Sequence, residues 1–169
     1  MIKNVLTIAG SDPSGGAGIQ ADLKSFAANG TYGMAALTAL TAQNTRGVSG
    51  VELVPPAFVQ AQIETVFADV RVDAVKIGMI ATADIARAVA QALSGHHDIP
   101  IVLDPVMVAK GGAPLLEPDA MEALRTALVP LATLITPNLP EAARLLGRVE
   151  ARDRDEMADQ ALALTQIGP

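Results

Sequence analysis

The sequence lacks several features that would place it in particular classes of protein. It contains no cysteine, which excludes a disulfide framework and a thiolate metal site, so a reducing cytoplasm is the simplest compartment. It contains no tryptophan, one tyrosine and three phenylalanines, too few for a surface on which nucleic-acid bases stack. Twelve basic against eighteen acidic residues give a net charge of −6, so no positive field gathers nucleic acid or anionic lipid. Any bound anion must therefore be held at a local site.

Long apolar runs are absent as well. Gly, Pro, Thr or Gln interrupts each apolar stretch before the ~20 residues that a membrane helix needs, so we expect no membrane association. Met1 leads directly into a strand-like segment and not into a signal peptide, so we expect no export. Half of the 169 residues are hydrophobic, which predicts a single α/β domain over residues 1–169 with an aliphatic core.

Short runs rich in Val, Ile and Leu alternate with helix-length amphipathic segments, a pattern typical of βα units around a mainly parallel sheet. The predicted strands are 5–9, 34–42, 74–77, 101–103 and 133–135. The predicted helices are 18–28, 56–67, 83–93, 118–128, 140–146 and 155–166. Thr82 and Asp153 can cap helices, and Gly30, Gly95 and Gly147 stand where left-handed residues end them.

A glycine-rich segment from Gly10 to Gly18 follows the first predicted strand. Its spacing imitates a P-loop, but Gly16 stands where the phosphate-binding lysine is required, so we reject that motif. It also matches a dinucleotide fingerprint, but the match lies too far from the strand, and no acid follows the second strand to bind a ribose. The segment predicts either a backbone that approaches a ligand closely or a turn that requires positive φ.

Ligands of an open parallel sheet bind beyond the carboxyl ends of its strands, so the residues near those ends are candidates. Asp22 lies on the apolar side of the first predicted helix, where a carboxylate needs a partner. It either recognises an amine or hydroxyl of a small molecule or is an acid favoured by the helix dipole. Gln43 can both donate and accept hydrogen bonds, so it could bind the edge of a heteroaromatic ring or simply bond to a neighbouring loop. Met79 and Val106 could form apolar walls or simply pack.

A second set of candidates suits phosphate and Mg²⁺. Asp104 follows a buried strand, where it could meet Mg²⁺ or a hydroxyl, or merely start a turn. Asn138 and Glu141 have the spacing N-x-x-E and could hold a hydrated Mg²⁺, although the spacing alone favours a helix-capping pair. Lys76 and Lys110 are possible phosphate partners, although an exposed lysine often serves only solvation.

Five segments, in their order and spacing, resemble the hydroxymethylpyrimidine/phosphomethylpyrimidine kinases of thiamine biosynthesis, which belong to the ribokinase superfamily. The segments are LTIAGSDPSGGAGIQADLKSF, GMAALTALTAQNTRGV, VKIGMI, VLDPVMVAKGG and LITPNLPEAARLL. The resemblance implies a ribokinase-like three-layer α/β/α sandwich. It further implies phosphorylation of 4-amino-5-hydroxymethyl-2-methylpyrimidine, and then of its monophosphate, with ATP and Mg²⁺. The complete protein would be a cytoplasmic homodimer.

The same resemblance assigns roles to the candidate residues. The pyrimidine pocket would be lined by Gly10, Asp22, Gln43, Met79 and Val106. Asp104 would be catalytic, and Asp104 and Glu141 would bind the metal. The nucleotide and its phosphates would meet Asn138 and Glu141, and we place Lys76 on the same side from its own position rather than from the resemblance. For Asn138 and Glu141, the resemblance replaces the capping interpretation with the N-x-x-E of the superfamily.

The resemblance also implies that residues 1–169 are the N-terminal portion of such a kinase. Members of the family continue with further strands, a K-G-G-H-like nucleotide segment and a G-T-G-C anion hole, and this sequence contains neither motif. We therefore expect the chain alone to lack useful kinase activity. Two alternatives stay open: a pyridoxal kinase that acts on vitamin B6 alcohols, and a non-catalytic pyrimidine-binding protein derived from a kinase.

Overall fold

The computed structural model of the chain describes residues 1–108, 115–117 and 119–169. The strands are β1 (Asn4–Ser11), β2 (Tyr32–Asn44), β3 (Gly47–Leu53), β4 (Ala74–Ile77), β5 (Ile101–Leu103) and β6 (Leu134–Ile135). The helices are α1 (Gly18–Ala28), α2 (Pro56–Asp69), α3 (Ala83–Leu93), α4 (Ala120–Ala123), α5 (Leu139–Leu146) and α6 (Arg154–Leu164). Lys110, a candidate phosphate partner, and Pro118, a predicted helix start, lie outside the described residues.

The strands form one six-stranded sheet in the order β3-β2-β1-β4-β5-β6. Every neighbouring pair is parallel except β2 and β3, which are antiparallel. Helix α1 packs on β1 and β2 on one face of the sheet, whereas α2, α3 and α4 pack against one another on the other face. The prediction of an α/β domain with a mainly parallel sheet is confirmed.

The central strand β1 is buried on both faces, because helices cover each side of the sheet. Leu6 and Ile8 are fully buried and belong to the aliphatic core that also contains Val59 and Ile63 of α2. Thr7 points to the opposite face and is also fully buried, although it is polar. A buried hydroxyl needs a hydrogen-bond partner, and its partner lies in the candidate site described below.

Most of the predicted helix ends are confirmed. The hydroxyl of Thr82 caps α3, the carboxylate of Asp153 caps α6, and Gly147 ends α5 with φ of 64°. Gly30 follows α1 with φ of 72°, but Gly95 after α3 does not adopt a positive φ, so its prediction as a left-handed cap is wrong. None of the helices that the structure describes is long and apolar enough to cross a membrane.

Strand β3 is absent from the sequence prediction. It pairs antiparallel with the distal half of β2 through a two-residue turn, Thr45 and Arg46, and the resulting hairpin extends beyond the core. Most of its residues are exposed, so the strand has no buried face that would give the sequence a period-two pattern. Backbone pairing with β2 therefore determines this element.

The predicted regular helix over 118–128 is also only partly correct. Within the described residues, α4 forms one turn, and the chain continues as a π-helical turn at Leu124–Leu128 and a 3₁₀ turn at Val129–Leu131. Pro130 cannot donate a backbone hydrogen bond, and the wider π-helical turn keeps both Leu124 and Leu128 buried.

Candidate active site

The order of the strands places the candidate site at the border between β1 and β4. The chain proceeds from β1 to β2 on one side and to β4 on the other, and ligands of open α/β sheets bind where the order reverses. Thr7 of β1 lies directly opposite Lys76 of β4 in the parallel ladder, so the two side chains share one face of the sheet. Helix α1 covers this face and brings Asp22 to both of them.

A polar cluster of Thr7, Asp22, Lys76 and Asp104 results from this packing. Asp22 Oδ2 accepts a hydrogen bond from Thr7 Oγ1 at 2.6 Å and one from Lys76 Nζ at 3.2 Å. Lys76 Nζ also lies 3.9 Å from Asp104 Oδ2. The side chain of Asp104 is 38% exposed, whereas that of Asp22 is only 17% exposed. The prediction that Asp22 turns inward and needs a partner is confirmed.

Asp104 is the most accessible carboxylate of this cluster. Its amide donates to the carbonyl of Ile77 at 2.8 Å, which continues the ladder and fixes the residue at the end of β5. Partial burial raises the pKa of the Asp104 carboxyl, Lys76 lowers it, and the charge of Asp22 raises it again, so the net shift is upward. A carboxylate with a raised pKa at a ligand-binding edge has the chemistry of a general base.

Apolar residues lie beside the cluster. A Cβ atom on Gly10 would come within 3.1 Å of the sulfur of Met79, so the two residues are in close contact. The carbonyl of Met79 accepts a hydrogen bond of 2.7 Å from the buried hydroxyl of Thr38. Val106 packs against the small buried group that contains Ala39 and Met79. The structure thus brings together Gly10, Met79 and Val106, three of the five residues predicted for the pyrimidine pocket.

The glycine-rich segment forms a turn whose amides point inward. Asp12 is 3% exposed, and its carboxylate accepts hydrogen bonds from the amides of Ser14, Gly16 and Ala17 and from the hydroxyl of Ser14. Burial opposes the charge of Asp12, but these donors outweigh it and lower the pKa of the carboxyl. Because these three amides are already engaged, they are not available to bind phosphate. The amides of this turn thus bind Asp12, and the rejection of the P-loop motif stays a prediction from the missing lysine.

Gly18 brings the glycine-rich turn against the end of β1. It has φ of 55°, and a Cβ atom there would lie 2.3 Å from the carbonyl oxygen of Gly10. Only glycine permits both this backbone conformation and this contact. The sequence left open a close backbone approach or a positive-φ turn, and the structure shows that this turn needs positive φ.

Gln43 lies on the other side of this turn. Its Oε1 accepts a hydrogen bond of 3.2 Å from the hydroxyl of Thr41. The side chain borders a cavity of about 360 Å³ between the glycine-rich turn and the β2–β3 hairpin. The lining of this cavity includes Asp12, Ser14, Ala17, Gln43 and Arg46. Gln43 therefore lies close to the glycine-rich turn, and no hydrogen bond among the described residues links it to Asp22.

Asn138 and Glu141 form a capping box at the start of α5. The side chain of Asn138 accepts from the amide of Glu141 at 3.0 Å, and Oε2 of Glu141 accepts from the amide of Asn138 at 2.9 Å. No hydrogen bond or ion pair in the described part of the chain joins either residue to Asp104. Across the same residues, no group of three or more His, Cys, Asp and Glu side chains could hold a metal ion. The capping role is present, and the metal role stays a prediction.

Two residues of this region, Asp12 and Thr7, are not predicted from the sequence as site residues. Asp12 organises the glycine-rich turn, and its position two residues before Ser14 and four before Gly16 is a recognisable signal for such a turn. Thr7 left no comparable signal, because its partner Asp22 is fifteen residues away and its neighbour Lys76 belongs to another strand. Only the pairing of β1 with β4 reveals its role.

A mainly parallel sheet between helix layers, with polar side chains at the carboxyl ends of its strands, is common to many α/β enzymes, and the ribokinase-like class among them is identified by comparison with solved structures. The crystal structure of phosphomethylpyrimidine kinase from Clostridium difficile has a TM-score of 0.92 at 48% identity, covering 99% of this chain and 72% of that chain. The structure of a pyridoxal kinase from Staphylococcus aureus with AMP-PCP and pyridoxal has a TM-score of 0.87 at 38% identity, covering 99% and 60%. The predicted ribokinase-like fold is confirmed.

Sequence comparison identifies the family within this class. The family model for phosphomethylpyrimidine kinase matches residues 12–169. The hydroxymethylpyrimidine/phosphomethylpyrimidine kinase of Salmonella typhimurium is 58% identical over 165 residues, which cover 98% of this chain and 62% of that protein. The chain belongs to the phosphomethylpyrimidine kinase family, and it spans about 62% of the length of this curated relative.

Proposed function

We propose that this chain is the N-terminal, substrate-binding portion of a thiamine-biosynthetic kinase. The complete enzyme transfers the γ-phosphoryl group of ATP to 4-amino-5-hydroxymethyl-2-methylpyrimidine and then to its monophosphate. The observation that carries this proposal is the cluster of Asp22, Lys76 and Asp104 at the strand-order reversal, in a chain of the phosphomethylpyrimidine kinase family. A small molecule bound there would meet both acidic and basic groups at once.

The pyrimidine would occupy the side of the site formed by Gly10, Met79 and Val106. The hydrogen bonds of the Asp22 carboxylate from Thr7 and Lys76 both use Oδ2. No hydrogen bond from the described residues reaches Oδ1, which would accept one from an amino group on the ring. Gln43 can donate and accept, so it suits the polar edge of the same heterocycle.

The phosphate side of the site would use Asp104, Glu141, Asn138 and Lys76. Mg²⁺ in phosphoryl-transfer enzymes is held by one or two carboxylates together with substrate phosphates and waters. Asp104 and Glu141 would supply the two carboxylates, although no hydrogen bond or ion pair among the described residues joins them. Bound Mg²⁺ would neutralise negative charge on the nucleotide phosphates. Asp104 would accept the proton of the substrate hydroxyl, and Lys76 would face the phosphates.

The complete protein would act in the cytoplasm as a homodimer. Support for self-association comes from apolar side chains exposed on the β2–β3 hairpin. Leu40 is 49% exposed, Val51 43% and Leu53 41%. Light scattering during size-exclusion chromatography would give the mass directly, and a monomer at micromolar concentration would contradict this part of the proposal.

A vitamin B6 kinase is the second candidate. The pyridoxal kinase of Staphylococcus aureus, solved with pyridoxal, shares this fold at 38% identity. The pyrimidine kinase is favoured because the Salmonella typhimurium relative reaches 58% identity and the family model covers residues 12–169.

The proposal is tested on a full-length kinase, made by joining this chain to the part of the Salmonella typhimurium relative beyond the match. ADP release would be followed with the hydroxymethylpyrimidine, its monophosphate and pyridoxal as alternative acceptors. We expect the two pyrimidines to give at least about tenfold higher kcat/KM than pyridoxal, which is the discrimination that a few correct polar contacts supply. Faster turnover of pyridoxal would establish the second candidate.

The role of Asp22 is tested by calorimetric titration with the hydroxymethylpyrimidine. Asp22→Ala in the full-length kinase should weaken binding by about tenfold, because a hydrogen bond to a charged group contributes about 1.5–3 kcal/mol. Asp98→Ala is the matched control, since Asp98 is an exposed carboxylate in the loop before β5. Unchanged affinity in the Asp22 variant would defeat the assignment.

A further inference from the structure

Lys76 reaches the site along a path that only small residues permit. Gly78 follows Lys76 by two positions, and side chains two apart in an extended chain project to the same face. A Cβ atom on Gly78 would lie 2.8 Å from Lys76 Nζ and 3.1 Å from the Cβ of Ala9 on the neighbouring strand. Gly78 and Ala9 therefore leave the space that the end of the lysine side chain occupies.

The backbone does not require glycine at this position. Gly78 is not among the glycines with positive φ, and its amide donates to the carbonyl of Ile8 at 2.9 Å in the manner of a parallel strand. Alanine could adopt the same backbone conformation. Within the described part of the chain, the demand for glycine at residue 78 thus comes from the room taken by Lys76 and, to a lesser degree, Ala9.

Thr7 restrains the same lysine from the other side. Its hydroxyl is completely buried and donates at 2.6 Å to Oδ2 of Asp22, the oxygen that also accepts from Lys76. Because Oδ2 accepts from both Thr7 and Lys76, the bond from Thr7 holds this oxygen toward the lysine. The end of the lysine side chain is consequently held between Oδ2 of Asp22 and the space left by Gly78 and Ala9.

We propose that Gly78 and Thr7 are positioning residues that hold the Lys76 ammonium between Asp22 and Asp104. This inference rests on the proposed kinase function, because it assigns the held ammonium to the phosphate side of the site. An ammonium between two carboxylates offsets their mutual repulsion at one small site. Displacement of the ammonium by Gly78→Ala would disturb both acids without removing any polar group.

A double-mutant cycle between Gly78→Ala and Lys76→Ala separates this role from general packing. In the full-length kinase, Gly78→Ala should lower kcat/KM by about tenfold or more, as expected for misplacement of a site group by about 1 Å. In the Lys76→Ala background the same change should have almost no further effect, because no ammonium remains to be displaced. A clash with Ala9 would persist in both backgrounds, so equal effects in the two would overturn the proposal.

The cycle is also measured without any activity, as denaturant midpoints of the 169-residue chain. We expect Gly78→Ala to lower the midpoint in the presence of Lys76 and to lower it less in its absence. If the stability coupling is found but the full-length protein phosphorylates neither pyrimidine, the proposed kinase function is rejected and the positioning of Lys76 is retained. If kinase activity is found without either coupling, the positioning role fails while the function stands.

Thr7 is tested by comparing Thr7→Val with Thr7→Ser in the full-length kinase. Loss of the hydroxyl should lower kcat/KM for the pyrimidine by about tenfold, and the serine variant should restore most of it, because it retains the donor. Thr31→Val is the control. Thr31 lies just after α1 and its hydroxyl donates to the carbonyl of Phe26, so its removal should leave kcat/KM unchanged. Equal losses in the valine and serine variants would reduce Thr7 to a packing residue.

Discussion

Asp12 and Asp104 both lie near the ends of strands, yet their carboxyl pKa values are shifted in opposite directions. Asp12 is surrounded by donors from the glycine-rich turn, and its pKa is lowered. Among the described residues, Lys76 Nζ lies 3.9 Å from Asp104 and the charge of Asp22 is nearby, and the pKa of Asp104 is raised. The Asp12 carboxylate, which accepts several hydrogen bonds, stabilises the turn. A carboxylate with a raised pKa at an accessible edge of the sheet, such as Asp104, is a candidate for acid–base chemistry.

The first prediction concerns the stability of the glycine-rich turn. Asp12→Ala should lower the free energy of unfolding by about 2 kcal/mol at pH 7, because the buried amides of the turn lose a charged acceptor. Since the folded-state pKa lies below the ordinary value of 3.8, this contribution is full above pH 3.8 and is lost as the pH falls through the folded-state pKa. Urea unfolding at several pH values measures it, with the exposed Asp98→Ala as control. A difference that does not shrink in acid would contradict this account.

The second prediction is that the Asp104 carboxylate supports turnover but lowers the stability of the folded protein. A carboxyl whose folded-state pKa is raised above its unfolded value disfavours folding once the pH exceeds that unfolded value, and the effect is complete above the folded-state pKa. Asp104→Asn should therefore keep or raise the unfolding midpoint at pH 7, with no such gain below pH 3.8.

The same Asp104→Asn variant of the full-length kinase should lose activity by about 10²–10⁴-fold, the usual contribution of a general base. Unfolding midpoints and turnover are measured on the same preparations. A lower midpoint at pH 7 would show that Asp104 is a structural residue, and retained turnover would remove it from the reaction.

At the scale of elements, the pair Asn138 and Glu141 stabilises the start of α5 whether or not it also has a function. Asn138 and Glu141 satisfy each other's backbone amides, and Glu141 is 8% exposed. The spacing N-x-x-E alone predicts this capping box. The resemblance to a kinase family adds a phosphate role, but it does not remove the structural one.

The third prediction separates these two roles. Asn138→Ala should lower the free energy of unfolding by about 1 kcal/mol, because the helix loses its cap, whereas Asn138→Asp should retain most of it, since aspartate also caps. Thermal unfolding of the two variants gives the comparison. If aspartate retains stability but the full-length kinase loses turnover, the amide has a function beyond the cap. Equal stability in all three proteins would show that the capping box contributes nothing.

At the scale of the whole molecule, the chain is shorter than the relatives that it matches. The chain covers 62% of the Salmonella typhimurium relative, and we propose that the nucleotide segment and anion hole belong to the rest. Such sites stabilise the charge that develops on the transferring phosphoryl group.

The fourth prediction follows directly. The 169-residue chain should turn over the hydroxymethylpyrimidine at least about 10³-fold more slowly than the full-length kinase, because each missing oxyanion donor costs about 10²–10³-fold. Release of ADP under saturating ATP and Mg²⁺ measures this difference, and circular dichroism confirms that both proteins are folded. Comparable rates would show that the described residues hold a complete catalytic site.

The sequence by itself determined the α/β class, the position of most strands and helices, and the list of polar residues at their ends. These follow from local periodicity and from residues such as Thr82, Asp153 and Gly147, whose effects depend only on nearby backbone. It also determined the family, because five segments keep the order and spacing of a known pattern. Local information was sufficient for each of these conclusions.

Only the tertiary structure decided which of those residues meet. Thr7 and Lys76 became neighbours through the ladder between β1 and β4, and Asp22 joined them because α1 packs on that face. Strand β3 likewise exists through its pairing with β2, since it buries no face of its own. The physical reason is that strand pairing and helix packing join residues far apart in the chain, and no local pattern records those partners.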